Sequence, residues 1–575
     1  MPTYSAPLQE MLFILRHVIG AEKLQSLPGQ EALDLGTVEE ILNAGAELAE
    51  GVLAPLNESG DKQGCRMKDG AVTTADGWKQ AYDSFRNNGW NGVPFPMDFG
   101  GMGLPWIVAF PLNEMVQSAN MSFGLCPLLT QGAIEAIMHH GTDAQKEFYL
   151  PKLVSGQWTG TMNLTEPQAG SDLAAVRTRA ERNGDGTYKI FGSKIFITYG
   201  EHDLSDNIIH LVLARLPDGP EGVKGISLFI VPKFLEDGSR NDVACTGLEH
   251  KLGIHASPTC SMSFGDKEGA RAYLVGQEHE GIKYMFTMMN NARLSVGVQG
   301  VAIAERAAQA AKAYAAARIQ GGKSIIEHAD VKRMILTMES QVQAGRMMAC
   351  QAAYAIDSSD KTLVDLLTPV VKGWCTDRSV DVASLGVQIH GGMGFIEETG
   401  AAQYYRDARI LPIYEGTNGI QAMDLVSRKI VRDDGAGITR WIEDQKITLQ
   451  ELESSTGNDL SAISAQLHEA FGTLRGATGV VLNAGRNKDQ ETLGAIAHPY
   501  LTLLGHVMAA TLMGRAALIA RNLIRDGQTE NFSPDFLNDK IRHARFFADH
   551  ILPQILGLAH TVRSGAETVN APLSV

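Results

Sequence analysis

The feature that most constrains this chain is a change of texture at Trp158. From there to about residue 278 it runs in short β-type stretches: Trp158–Thr165, Tyr188–Phe191, Lys194–Thr198, Ile208–Arg215, Gly225–Pro232 and Thr259–Phe264. Turn signals such as Asn183-Gly-Asp-Gly, Pro217-Asp-Gly-Pro and Asp237-Gly separate them. No helical stretch is interleaved, so a βαβ fold is excluded and an antiparallel sheet or barrel is expected. On both sides apolar residues recur at helical spacing. The chain reads as an α+β protein in five blocks: 1–35 a helical extension, 36–157 an N-terminal helical domain, 158–278 a middle antiparallel β domain, 279–435 a C-terminal helical bundle, and 436–575 an extra helical domain.

Within the helical blocks, Leu8, Leu12, Leu15 and Ile19 share one face before a Pro28-Gly29 break. Thr37-x-x-Glu40 and Thr142-x-x-Gln145 read as capping boxes. Phe99-Gly-Gly-Met-Gly-Leu follows no strand and lacks the G-x-G-x-x-G order, which argues against a phosphate cradle. Helices are expected over 281–319, 328–357, 361–390 and 417–432, and after a 433–437 linker near 459–484, 497–525 and 534–565. The last should kink at Pro553.

Composition excludes several classes. A net charge of −15 argues against nucleic acid as the main partner. Six scattered cysteines without a C-x-x-C pair exclude a disulfide scaffold and the common zinc and iron–sulfur patterns, and fit a reducing cytoplasm. No apolar run approaches a membrane span, and the N-terminus lacks the basic region and cleavage site of a signal peptide. A β block set between helical blocks makes a crevice in which a cofactor is commonly held, and no Rossmann or Walker fingerprint is present.

Three stretches carry chemistry. In Arg406-Asp-Ala-Arg-Ile-Leu-Pro-Ile-Tyr-Glu-Gly-Thr-Asn-Gly-Ile-Gln421, Glu415 stands between a Pro412-broken segment and a new helix. Gly416 removes side-chain bulk beside the carboxylate. A carboxylate among Ile410, Leu411, Ile413 and Tyr414 suits a general base, and a helix-start glutamate favoured by the dipole is the structural alternative. Leu164-Thr-Glu-Pro-Gln-Ala-Gly-Ser-Asp172 ends a strand in donors: Thr165 for a ring acceptor, Gly170 and Ser171 for a phosphate. In Lys194-Ile-Phe-Ile-Thr-Tyr-Gly200 alternation puts Phe196 and Thr198 on one face, suited to a flat polar ring. An Asx turn and a half-buried hairpin are the structural alternatives for these two.

Residues 37–432 resemble the acyl-CoA dehydrogenases, flavoenzymes that oxidise acyl-CoA thioesters to trans-2-enoyl-CoA. The resemblance rests on Leu164–Asp172, Lys194–Gly200, Gln388-Ile-His-Gly-Gly-Met-Gly-Phe395 with Glu398 and Asp407, and Tyr414-Glu-Gly-Thr417, in that order. Gln403 stands where a basic residue is usual, with Arg406 nearby. The resemblance implies FAD as cofactor. Leu164, Thr165 and Ser171 would hold its pyrimidine edge and diphosphate, Phe196 would pack on the ring, and Thr198 would bond near N5. Arg318, Gln388, Gly391 and Gly392 would reach the dinucleotide of a second copy, and Thr417 the adenosine side. Gly321 stands where an aromatic residue usually supports adenine. Ser171, Asn290, Arg293 and Gly416 would contact the acyl-CoA.

The resemblance also assigns the base. Some members carry it on a helix immediately before an arginine matched by Arg293, but Ala292 stands there, which leaves Glu415. Glu415 would take the α-proton while the β-hydride leaves for the flavin. The N-terminal residues from Met1 to Pro7, the block Gly391–Gly419 and the long tail resemble a bacterial subfamily that acts on 3-(methylthio)propanoyl-CoA; medium- or long-chain acyl-CoA is the alternative substrate. Electron-transfer flavoprotein is the implied acceptor, and a homodimer is implied by a tail covering the surface where shorter members form tetramers. An acyl-CoA oxidase and a non-catalytic flavin-binding protein are the rival classes.

Overall fold

The computed structural model describes residues 4–31, 33–529 and 531–572. Of the N-terminal segment that resembles the bacterial subfamily, Met1–Thr3 lie outside the described residues. Backbone contacts divide the chain into two compact units. One holds the residues up to Ala46, Trp106–Glu114, and everything from Val296 onward; the other holds Glu47–Pro105 and Met115–Ser295.

The second unit carries the β block. Its main strands are β1 (Trp158–Asn163), β2 (Arg179–Arg182), β3 (Tyr188–Thr198), β4 (Asn207–Arg215), β5 (Ile226–Pro232), β6 (Val243–Leu248), β7 (Thr259–Phe264) and β8 (Ala270–Leu274). The order is β8-β5-β4-β2-β3-β7-β6, and β8 pairs with β3 as well as β5, so the sheet closes on itself. Ile190, Ile197, Val212, Phe229, Val231 and Phe264 fill it. Two pairings depart from the antiparallel expectation: β1 runs parallel to β4 through six residue pairs, and β2 meets β4 in parallel at Arg179 and Arg215. Threonines of β1 fix that seam. Thr159 Oγ1 meets Nε2 of His202 at 2.9 Å, and Thr161 Oγ1 meets Nδ1 of His210 at 2.8 Å. Strands β2, β6 and β8 were not expected from sequence, and β3 is one strand where two were expected.

The first unit is helical. Its long helices are Gly281–Ala317 (from Val296), Ala329–Asp357, Lys361–His390, Asn458–Arg486 and Gln490–Arg525. Short helices Ala401–Ala408, Ala436–Asp444 and Lys446–Ser454 were not expected from sequence, the second beginning inside the 433–437 linker. The final expected helix breaks before Pro553, after a π-helical turn Phe547–Ile551. A charged triad ties this unit together: the buried Arg346 donates to the buried Glu114 at 2.6 and 2.9 Å and to the half-buried Glu305 at 2.5 Å. The N-terminal helix Leu8–Phe13 packs on the tail, with Phe13 5.5 Å from Phe532 and 5.7 Å from Phe536, ring to ring, and Glu10 paired with Lys540. Of the expected face, Leu15 and Ile19 are buried and Leu8 and Leu12 half-buried, and the buried side also takes in Met11, Phe13, Ile14 and Val18, where the chain passes into a π-helical turn at Ile14–Gly20.

Two other expectations need correction. The helix Leu35–Leu48 already contains Thr37, and the cap is Asp34, which accepts from the Thr37 N–H at 2.9 Å; the Thr142–Gln145 capping box forms as expected. The helices Met121–His140 and Gln490–Arg525 are long and apolar enough to cross a membrane, contrary to the sequence reading. Their apolar windows are 94% and 89% buried within the protein, as in core helices. In the Phe99–Leu104 loop a Cβ on Gly101 would meet the Phe95 carbonyl oxygen at 2.1 Å, so its glycine serves close backbone packing.

Candidate active site

Glu415 sits at the tip of a closed loop in the first unit. Its φ is +55°, a left-handed conformation that costs a residue with a β-carbon about 1–3 kcal/mol and persists only where surroundings enforce it. The enforcement is on both flanks. The Asn418 N–H donates to the Pro412 carbonyl at 2.9 Å and closes the loop, and the Gln421 amide donates to the Gly416 carbonyl at 3.2 Å. Tyr414 donates its hydroxyl to Gln299, which is fully buried. Burial, reinforced by the Glu415 carboxylate, raises the Tyr414 pKa well above 10, so the phenol stays a neutral donor. Gly416 has φ +82°, so two successive residues are left-handed and the chain turns sharply around the carboxylate.

Thr417 caps the helix Asn418–Asp424, its Oγ1 accepting from the Ile420 N–H at 3.3 Å. Gln388 is exposed in the last turn of the helix Lys361–His390, and Gly391 and Gly392 follow with no heavy atom within 4 Å of a built Cβ. Met393, Phe395 and Ile396 beside them are exposed, Phe395 at 86%. Arg318 is exposed where the chain enters the two-residue strands Ile319–Gln320 and Lys323–Ser324, joined at Gly321 and Gly322 with positive φ. Gln403 is buried and donates to Asp407 at 3.4 Å, while Arg406 pairs with Glu397 at 2.8 Å.

The second unit brings the other set together. Leu164 and Thr165 extend β1 beside β3: the Ile195 N–H donates to the Thr165 carbonyl at 2.9 Å and Lys194 Nζ to the Leu164 carbonyl at 3.0 Å. A register shift between Lys194 and Ile197 bulges β3 at Phe196, whose φ is +60°. Ile197 points into the core, while Phe196 is 57% exposed and Thr198 half-buried. Simple alternation is therefore broken, yet both residues stay off the core side. A strained bulge that turns an aromatic ring outward, next to the Thr165 segment, fits a flat ring system such as an isoalloxazine. Ser171 lies exposed in the following loop, and Gly170 has no heavy atom within 4 Å of a built Cβ, which leaves room for a bulky anion. Asn290 is exposed one turn before the buried Arg293, which donates to its Oδ1 at 3.4 Å.

One residue in this set escaped the sequence reading. Glu166 is 3% exposed and accepts from Gln168, from the Arg177 and Thr178 N–H groups, from the Thr178 hydroxyl at 2.6 Å and from Lys194 Nζ at 2.8 Å. Burial works to raise its pKa, but the Lys194 ammonium and these donors hold it at about 2. Glu166 thereby folds 164–178 into one fixed loop. Its only sequence signal was its place inside the Leu164–Asp172 motif.

Comparison with known proteins follows the same division. Family models for the acyl-CoA dehydrogenase N-terminal domain match residues 38–157, the middle domain 161–267 and the C-terminal domain 279–430, and an acetyl-CoA dehydrogenase C-terminal-like model matches 438–572. The chain is 46% identical over 576 residues, 96% of each chain, to 3-methylmercaptopropionyl-CoA dehydrogenase of Ruegeria pomeroyi. Butyryl-CoA dehydrogenase of Megasphaera elsdenii superposes with a TM-score of 0.60 at 30% identity, over 68% of this chain and 96% of that one. An acyl-CoA dehydrogenase from Bacillus anthracis, complexed with FAD, superposes with a TM-score of 0.74 at 21% identity over 98% and 95% of the two chains, so its fold extends through the C-terminal helices.

Proposed function

The chain belongs to the acyl-CoA dehydrogenase family, and from that premise we propose that it desaturates 3-(methylthio)propanoyl-CoA at the α,β bond with Glu415 as base. It is a flavin-dependent oxidoreductase, and FAD is the family's cofactor. The substrate reading is supported by the near full-length similarity to the Ruegeria enzyme. The observation that supports Glu415 as the base is the clasped loop, which holds Glu415 and Gly416 in successive left-handed conformations.

The chemistry asks three things of the residues. A thioester α-proton is a weak acid, so the developing enolate needs donors in a dry site; the Glu415 N–H is one. Glu415 accepts the α-proton, carried on a backbone that the Pro412–Asn418 clasp holds in place. Bound FAD supplies the acceptor for the hydride leaving the β-carbon. Phe196, Thr198, Leu164, Thr165 and Ser171 hold its ring and diphosphate in this reading, with Thr417 toward the adenosine. Arg318, Gln388, Gly391 and Gly392 serve the cofactor of a second copy, and Asn290, Arg293, Ser171 and Gly416 the CoA thioester. The exposed apolar turn Met393–Ile396 supports a homodimer covering that surface. A cytoplasmic location and electron-transfer flavoprotein as acceptor complete the proposal.

The test is anaerobic titration of the flavin spectrum with a series of acyl-CoAs. Bleaching most efficient with 3-(methylthio)propanoyl-CoA is expected; preference for longer chains moves the substrate, and no bleaching with any thioester overturns the function. Glu415→Gln should keep FAD and bind acyl-CoA while kcat falls by at least about 10³-fold. Retained turnover would remove Glu415 from the role.

A further inference from the structure

The extra C-terminal helices reach the Glu415 loop through a line of hydrogen bonds. Asn418, whose main chain closes the loop on Pro412, is 5% exposed. Its side-chain amide donates to Asp377 Oδ1 at 2.7 Å and to Thr376 Oγ1 at 2.9 Å, and its Oδ1 accepts from Lys372 Nζ at 2.8 Å. All three partners lie on the helix Lys361–His390. The other oxygen of Asp377 is taken from the tail: Oδ2 meets Nε2 of His498 at 2.9 Å. His498 belongs to the helix Gln490–Arg525, which also packs directly on Lys361–His390. A Cβ on Gly505 would meet Trp374 at 2.3 Å, and one on Gly373 would meet Leu501 at 2.9 Å.

We propose that His498 is a positioning residue for the reaction, through which the C-terminal helical extension sets the Glu415 loop by way of Asp377 and Asn418. Asp377 has one oxygen for the clasp and one for the tail, so its carboxylate plane, and with it the direction in which it receives the Asn418 amide, depends on both. With His498 removed, Asp377 Oδ2 loses its partner on the tail and the carboxylate that receives the Asn418 amide is held less firmly, while the amide keeps Thr376 Oγ1 and the Gly373 carbonyl, 3.1 Å away, as acceptors. The Asp377 hydrogen bond raises the His498 pKa, with burial and Arg378 opposing, which keeps a donor on Nε2 more of the time near neutrality. The bond is half-exposed on the histidine side, so its contribution is that of a surface ion pair, a few-fold and not orders of magnitude.

The inference rests on Glu415 as base for its catalytic consequence, but its structural half is measurable without turnover. Hydrogen–deuterium exchange of peptides covering 411–421 is compared in the FAD-loaded wild type, His498→Ala, His498→Gln and the control His468→Ala, a surface histidine elsewhere on the tail. His498→Ala should speed exchange there about three- to fivefold, and lower kcat by a similar factor with KM unchanged. His498→Gln, which keeps an N–H donor, should restore both, and His468→Ala should match the wild type. Unchanged exchange at 411–421 in His498→Ala overturns the proposal. So does loosening spread equally over 490–525, which marks helix damage. If no thioester bleaches the wild-type flavin, the base assignment fails while the exchange result still decides the linkage.

Discussion

Glu166 shows how a single side chain can organise a loop that no local signal announces. Five donors converge on it from positions up to 28 residues away, and with 3% exposure it is an ionised group in the interior. Removing one partner of such a pair typically costs about 3–5 kcal/mol, because the other charge is left buried. Glu166→Gln should therefore lower the urea midpoint sharply and weaken FAD retention, and adding Lys194→Met should recover part of the loss. A single variant as stable as wild type would show that the pair contributes little. The sign with pH follows from the depressed carboxyl pKa: this stabilisation is complete above the ordinary glutamate range and fades as pH falls from about 4.5 toward 2. Thr165 and Ser171 could be singled out because they stand in one run of hydroxyl and amide groups after a strand. Glu166 and the Gln299 partner of Tyr414 were not, because which buried polar group faces which is decided by tertiary packing.

At the level of elements, periodicity carried the long helices but not the short or polar pieces. β2, Arg-Ala-Glu-Arg, has one inward residue, Ala180, and β8 is five residues long; neither shows a pattern strong enough to read. The parallel seam between β1 and β4 was also illegible, since pairing direction leaves no trace in composition. That seam has a pH signature. Burial, with the Lys233 ammonium nearby, pushes His202 and His210 down to about 3. The unfolded chain binds these protons near 6.5 and the folded chain does not, so stability falls as pH drops below 6.5, by about 1.4 kcal/mol per pH unit for each histidine. Urea midpoints at pH 7.5 and 5.5 should differ accordingly, and His210→Gln should shrink the difference; an unchanged slope would assign the acid sensitivity elsewhere. The contact of Gln490–Arg525 with Lys361–His390 is equally specific. Gly505→Ala drives a methyl into the Trp374 ring and should cost about 1–3 kcal/mol by denaturation.

Across the whole molecule, the alternation of helical and β texture was visible in the sequence, and so were the motifs from which the candidate site residues are drawn. What composition could not show is that the beginning and end of the chain share one compact unit. The exposed Met393–Ile396 turn belongs to that unit, and light scattering of the FAD-loaded protein should give a dimer; a tetramer would mean that the tail leaves the second interface open. The docking of Leu8–Phe13 against the tail has a consequence for biosynthesis. Glu10 leaves the ribosome some 530 residues before Lys540, its partner. At about 5–20 residues per second, that is roughly half a minute to two minutes. During that interval Phe13 has no Phe532 or Phe536 to cover it. A segment made early is among the last to find its place, and a nascent chain halted before Phe532 would offer that greasy helix to any chaperone within reach.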